Sequence, residues 1–122
     1  MSKKILILDD EQEYAVALRN FLVEFNYAVC VAISSSQALE AVKREKPDLV
    51  LFDYKLPDTD GDFFLRKAKE LCPTAQYILV TAWNDPVILN RFKAMGVSEA
   101  LLKPVDLEYV LNKVRGILKD KN

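Results

Sequence analysis

The 122-residue chain contains no histidine, three glycines and two cysteines. Each scarcity removes a class of chemistry. Without histidine there is no Ser-His-Asp triad, no Cys-His pair, no imidazole acid or base, and no His-ligated zinc or haem. Gly61, Gly96 and Gly116 lie too far apart for a GxGxxG fingerprint or a P-loop, which need several glycines within one turn. Cys30 and Cys72 form no CxxC motif, and two cysteines are no disulfide framework at this size, which favours a reducing compartment. A formal net charge of −1 gives no electrostatic footprint for nucleic acid or an anionic membrane. The longest unbroken apolar run, Ala28 to Ile33, is far below a membrane span. The opening MSKK-ILIL reaches charge too early for a signal-peptide core. A cytoplasmic protein is the expectation.

What remains is an ordinary globular composition, 51% hydrophobic and 29% charged, and a length that suits one domain, residues 1–122. Short apolar runs alternate with longer amphipathic stretches. Lys4 to Leu8, Tyr27 to Ala32, Asp48 to Phe52, Gln76 to Val80 and the weaker Ser98 to Leu102 read as strands. Between them run helical stripes, among them Tyr14, Leu18, Phe21, Leu22 and Phe25, and finally Leu107, Val110, Leu111, Val114, Ile117 and Leu118. Ser34 to Ser36, Asp85-Pro86 and Asp106 offer helix starts, and Gly96 offers a stop. Five βα units imply a parallel sheet covered on both faces. They are too few for an eight-fold barrel, so an open doubly wound α/β sheet is expected.

Ligands of such sheets bind beyond the carboxyl ends of the strands. The first strand ends in Asp9-Asp10, the third in Asp53, the fourth in Thr81 and the fifth in Lys103. If the strands are ordered 2-1-3-4-5, three carboxylates meet where the order reverses. Carboxylates that close repel, and some take up protons unless a cation sits among them. Mg²⁺ suits such a cluster, being hard, oxygen-seeking and commonly held by carboxylates plus phosphate. A carboxylate can also act as a nucleophile toward phosphorus, giving an aspartyl phosphate. Lys103 would supply a second cation and Thr81 a hydrogen bond to a phosphoryl oxygen.

Four segments at strand ends, ILILDDE, FDYKLPDTDG, VTAW and LLKPV, make the chain resemble the receiver domain of two-component response regulators over essentially its whole length. That resemblance implies a flavodoxin-like (βα)5 fold with strand order 2-1-3-4-5. It implies Asp53 as phosphoacceptor, with Mg²⁺ on Asp10, Asp53 and the backbone carbonyl of Lys55, and with Asp9 acting through water. Lys103 would pair with Asp53 and then its phosphate, Thr81 would be the switch hydroxyl, and Lys103-Pro104 would carry a cis peptide. The implied partners are a sensor histidine kinase or phosphotransfer protein and a downstream output protein or domain. No direct nucleic-acid or membrane contact is implied, and a homodimer through the last two helices stays open. A stand-alone receiver and the N-terminal piece of a longer regulator both fit the chain. Such a protein is a switch that assists its own phosphorylation and dephosphorylation rather than a metabolic enzyme.

Plainer readings stand beside these. Asp9, Asp10 and Glu11 could serve as helix-start acids. The acidic run Asp58 to Asp62 reads as a solvated loop, Trp83 and the tyrosines as packing residues, and both cysteines as buried and inert. A Mg²⁺-dependent phosphohydrolase with an aspartyl nucleophile is a rival, but it would need a second carboxylate two residues after Asp53, where Lys55 stands. A receiver-like module that is never phosphorylated is the third reading. The chain also departs from the family pattern: Ala100 and Val105 stand where aromatics are usual. Trp83 is therefore expected to supply the mobile aromatic. Lys55 and Trp83 are expected to hinder the water that hydrolyses the aspartyl phosphate.

Overall fold

Runs of apolar residues become strands covered on both faces. Lys4–Leu8 (β1), Ala28–Ala32 (β2), Leu49–Phe52 (β3), Gln76–Thr81 (β4) and Glu99–Leu102 (β5) form one sheet in a computed structural model that describes residues 2–119. Residues 1 and 120–122, at the two ends of the expected domain, lie outside the described residues. Every strand pair is parallel and the order is β2-β1-β3-β4-β5. Helices Gln12–Val23 (α1), Ser35–Glu45 (α2), Gly61–Leu71 (α3), Pro86–Ala94 (α4) and Leu107–Leu118 (α5) alternate with the strands.

The two-residue period of a strand sorts side chains into two cores. Leu6, Leu8, Val50, Phe52, Tyr77 and Leu79 face one core, shared with α2, α3 and α4. Ile5, Ile7, Leu49, Leu51, Ile78 and Val80 face the other, shared with α1 and α5. Each large side chain so buried contributes about 1.5–3 kcal/mol. The chain therefore has two cores to hold one rigid sheet, and the strand ends inherit that rigidity.

Local signals place the helices. Ser34 Oγ accepts from Gln37 N at 3.3 Å, Asp60 from Phe63 N at 3.1 Å, and Asp85 from Val87 N at 2.9 Å with Pro86 at the first helical position. Gly96, at φ +98°, makes the left-handed turn out of α4. Asp106 stands at the start of α5 but, contrary to expectation, its side chain makes no capping bond. Strand limits differ slightly from the sequence reading: Tyr27, Asp48 and Ser98 fall outside, and Thr81 falls inside. Asp48 nevertheless joins the strands: its N–H donates to Lys4 O at 2.8 Å, its carbonyl accepts from Gln76 N at 2.9 Å, and its carboxylate accepts from Lys4 N at 2.7 Å. Cys72 is buried as expected, but Cys30 is only half-buried because β2 is a sheet edge. Burial still pushes the Cys30 thiol up, away from the reactive thiolate.

Gly61 opens α3 directly beneath the end of β3. A Cβ there would come within 2.8 Å of the Asp53 carbonyl oxygen. Gly61→Ala is expected to lower stability by about 1–3 kcal/mol, the usual cost of forcing an extra carbon into a packed site. A urea midpoint equal to wild type would contradict that.

Candidate functional site

The reversal of strand order puts β1 and β3 side by side, with Leu8 opposite Phe52. Asp9 and Asp53 each follow by one residue, and Asp53 N donates to Leu8 O at 3.2 Å. β4 ends beside them in Thr81, and Lys103 N donates to Thr81 O at 2.9 Å. Asp9, Asp53 and Thr81 are 2%, 8% and 2% exposed. Lys103 Nζ lies 2.7 Å from Asp9 Oδ2 and 3.0 Å from Asp53 Oδ2, and it also bonds Glu11 Oε1. Thr81 Oγ1 accepts from Trp83 N at 3.2 Å, and Asp53 Oδ1 accepts from Tyr54 N at 2.6 Å. The Lys103–Pro104 bond is cis.

Of the six residues singled out in the sequence, Asp9, Asp53, Thr81 and Lys103 converge, while Asp10 and Lys55 flank them. Asp10 is exposed. It lies outside the group of three, Asp9, Glu11 and Asp53, whose carboxylate oxygens fall within 4.8 Å of one another. Glu11 is the residue the sequence reading missed. It sits at the N-cap of α1, which begins at Gln12, yet its side chain makes no cap bond and turns to Lys103. The acidic triplet directly after β1 was the available signal. Lys55 is exposed, with Nζ 4.2 Å from the centre of the Trp83 ring.

Electrostatics follow from burial. Burial pushes the Asp9 carboxyl above its ordinary 3.8, outweighing the hydrogen bonds from Lys103 and Glu11 N. For Lys103 burial pulls the other way, but bonds to Asp9, Glu11 and Asp53 prevail and hold the ammonium above its ordinary value. It stays charged throughout the physiological range. Tyr14, whose ring centre lies 5.2 Å from Lys103 Nζ, is pushed up to about 12 by burial and remains a neutral phenol. Glu11, Tyr14, Ala82, Lys103, Pro104 and Val105 line an open cleft of about 320 Å³ beside the carboxylates. Converging hard oxygen donors with net negative charge fit a divalent cation such as Mg²⁺.

In the neighbouring loop Asp58 and Asp60 are exposed, in line with the solvated reading of Asp58 to Asp62, but the acids also make specific bonds. Asp58 accepts from Ser35 N at 2.9 Å and Ser36 N at 3.0 Å, Asp60 caps α3, and Asp62 pairs with Arg66 at 2.6 Å and Arg91 at 3.3 Å. For the Asp58 carboxyl, burial is the largest single influence and raises its pKa, yet the hydrogen bonds from Ser35 N and Ser36 N together hold it below its ordinary value. Tyr54 packs 6.0 Å from the Trp83 ring and 5.7 Å from Phe92, centre to centre. Ala100 is partly buried against the same core.

The chain belongs to the response regulator receiver family, whose domain model matches residues 5–115. It is 31% identical over 122 residues to sporulation initiation phosphotransferase F of Bacillus subtilis, covering all of this chain and 98% of that protein. It is 32% identical over 104 residues to the transcriptional regulatory protein ZraR of Escherichia coli, of which it spans 24%. A solved receiver domain protein from Methanospirillum hungatei superposes with a TM-score of 0.93 at 30% identity, covering 98% of this chain and 95% of that one. Receivers of this family serve two-component signalling, interact with kinases or phosphotransfer proteins and output domains, and typically bind Mg²⁺ at an acidic pocket. Among the described residues no helix is long and apolar enough to cross a membrane.

Asp9 has a raised carboxyl, so its ionisation opposes folding once pH passes its ordinary 3.8. Asp9→Asn is expected to stabilise the fold at neutral pH by about 0.5–2 kcal/mol, as polar-site relief commonly does. The gain should grow as pH rises above 3.8 and vanish below it, where both forms are protonated. Thermal melts across that range measure it.

Proposed function

We propose that Asp53 accepts a phosphoryl group from a phosphohistidine of a sensor kinase or phosphotransfer protein. One observation carries the reading: a permanently charged ammonium, Lys103, is bonded to both Asp9 and Asp53 beside the buried Thr81 hydroxyl. An Asp53 carboxylate oxygen forms the new O–P bond as the partner's N–P bond breaks, and the imidazole leaves with that electron pair. Mg²⁺, when bound, would neutralise charge on the phosphoryl oxygens, and Asp10, Asp53 and the Lys55 carbonyl would hold it, with Asp9 behind them. Lys103 would exchange its carboxylate partners for the phosphoryl oxygens, and Thr81 would give up Trp83 N to donate to them.

The switch works only if the two states differ in contacts. Tyr54 follows the acceptor directly and touches both Trp83 and Phe92 of α4, which supports a route from site to surface. Trp83 would move with it, in the role that Ala100 cannot fill. Val87 of α4, Leu102 at the end of β5 and Tyr109 of α5 are exposed apolar residues suited to an output partner. A cytoplasmic setting belongs to the same proposal.

Incubation with a small-molecule phosphodonor and Mg²⁺, followed by intact mass, tests it. One phosphoryl adduct per chain is expected, absent from Asp53→Asn. Rapid turnover of the donor without an adduct would favour the phosphohydrolase, and neither result would favour the unphosphorylated module.

The Lys55 ammonium lies over the Trp83 ring, and the pair would close one side of the approach to Asp53. A comparatively long-lived phosphoprotein follows. Lys55→Ala should lose its phosphate roughly 3–10-fold faster, a barrier change of about 1 kcal/mol. Decay of the adduct at the wild-type rate would rule this out.

A further inference from the structure

The loop after the acceptor is a small hairpin. Gly61 N donates to Tyr54 O at 2.6 Å at its base, Lys55 and Asp60 pair antiparallel, and Leu56 N donates to Thr59 O at 3.2 Å near its tip. Lys55, Pro57, Asp58 and Asp60 are exposed, while Leu56 packs partly buried against the core. The polar tip is held in addition by a tie across 22 and 23 residues of sequence. Asp58 Oδ1 takes Ser35 N and Asp58 Oδ2 takes Ser36 N, one helix-start donor for each oxygen. The third donor of that helix start, Gln37 N, goes to Ser34 Oγ. The helix itself is firmly seated, with Ala38 and Val42 fully buried.

We infer that Asp58 is a positioning residue for the acceptor: it fastens the tip of the Lys55–Asp60 hairpin to α2 and so fixes the backbone that runs from Asp53 through Lys55. The inference rests on phosphoryl acceptance at Asp53. Besides the core contact of Leu56, two polar points fix the hairpin, its base at Gly61 and its tip at Asp58. With the tip released, the arm from Lys55 to Asp58 is free to shift about its base. The Lys55 carbonyl, which stands on the arm between those points, is then no longer held where a cation could use it. A carboxylate also suits the positive end of a helix, so the tie is strongest with Asp58 ionised. Asp58 touches neither donor nor phosphoryl group, and its effect should fall on cation binding before it falls on the transfer step.

The alternative is that Asp58 merely caps α2. Ser34→Ala separates the two, because it strips a cap from the same helix start and leaves the hairpin alone. Mg²⁺ affinity is measured by calorimetry, and the rate of phosphorylation by a small-molecule donor is followed across a Mg²⁺ series, with thermal melts in parallel. Asp58→Ala should raise both the dissociation constant and the half-saturating Mg²⁺ by about 3–10-fold, the scale of one or two hydrogen bonds, with a smaller change in the rate at saturation. Asp58→Asn keeps one acceptor oxygen and should fall between. Ser34→Ala should lower the melting temperature and leave both Mg²⁺ values unchanged. A wild-type Mg²⁺ affinity in Asp58→Ala overturns the inference, and so does an equal shift in Ser34→Ala. A wild-type protein that binds Mg²⁺ but forms no adduct would defeat phosphoryl acceptance instead, while the calorimetric comparison still decides the role of Asp58.

Discussion

Everything at the site depends on one ammonium group placed among buried carboxylates. Lys103 bonds Asp9, Asp53 and Glu11 at once, and without it Asp9 and Asp53 would be buried acids facing each other. The fold makes the meeting unavoidable. Reversal of strand order sets the ends of β1 and β3 together, and β5 brings Lys103 across β4. A buried ion cluster of this kind contributes little net stability, since desolvation offsets most of its attraction. Its value is chemical. Perturbed, mutually dependent charges in a cleft are what a phosphoryl-accepting site needs. Stability comes instead from the two apolar cores on either side of the sheet.

Around that cluster, a chain of polar ties and ring contacts runs mainly through the helices of one face. Asp62 of α3 pairs with Arg91 of α4, and Lys69 of α3 donates to Met95 O at the end of α4 at 2.7 Å. Tyr54 lies against Phe92, and Phe92 lies 5.8 Å from Phe52, centre to centre. Carboxylates, loop and α4 thus share a continuous set of contacts on the side of α2, α3 and α4. On the other face, α1 meets the site through Glu11 at its N-cap and Tyr14. The geometry divides the molecule into a side that can respond and a side that holds it steady.

The strand ends were legible in sequence because a strand's last apolar residue is visible and the next residue is fixed in space by the sheet. Asp9, Asp53, Thr81 and Lys103 could be named on that ground alone. Order 2-1-3-4-5 came from resemblance, since periodicity reports elements and not their neighbours. Glu11 was read as a helix-start acid, and it does stand at the start of α1; its bond to Lys103 was hidden because that partner arrives from β5, far along the chain. Asp58 is exposed as read, but its tie was invisible because its partners, Ser35 and Ser36, are distant in sequence, and an exposed acid in a turn looks the same whether or not it holds something. Ala100 was seen as a departure, but nothing in the sequence told that Tyr54 would pack against Phe92.

α4 is anchored differently from its neighbours. Of its nine residues, Phe92 is the one fully buried, whereas α2 and α3 each bury four. Regions with little buried apolar surface open at a small fraction of the global unfolding free energy. α4 therefore sits at the shallow end of the molecule's stability gradient while adjoining its most rigid point. Coupling between sites in proteins is typically about 1–3 kcal/mol. For a helix held by one fully buried ring, the partly buried Ile88 and Leu89 and two polar ties, a push of that size is enough to change its seat while the sheet beneath it does not move.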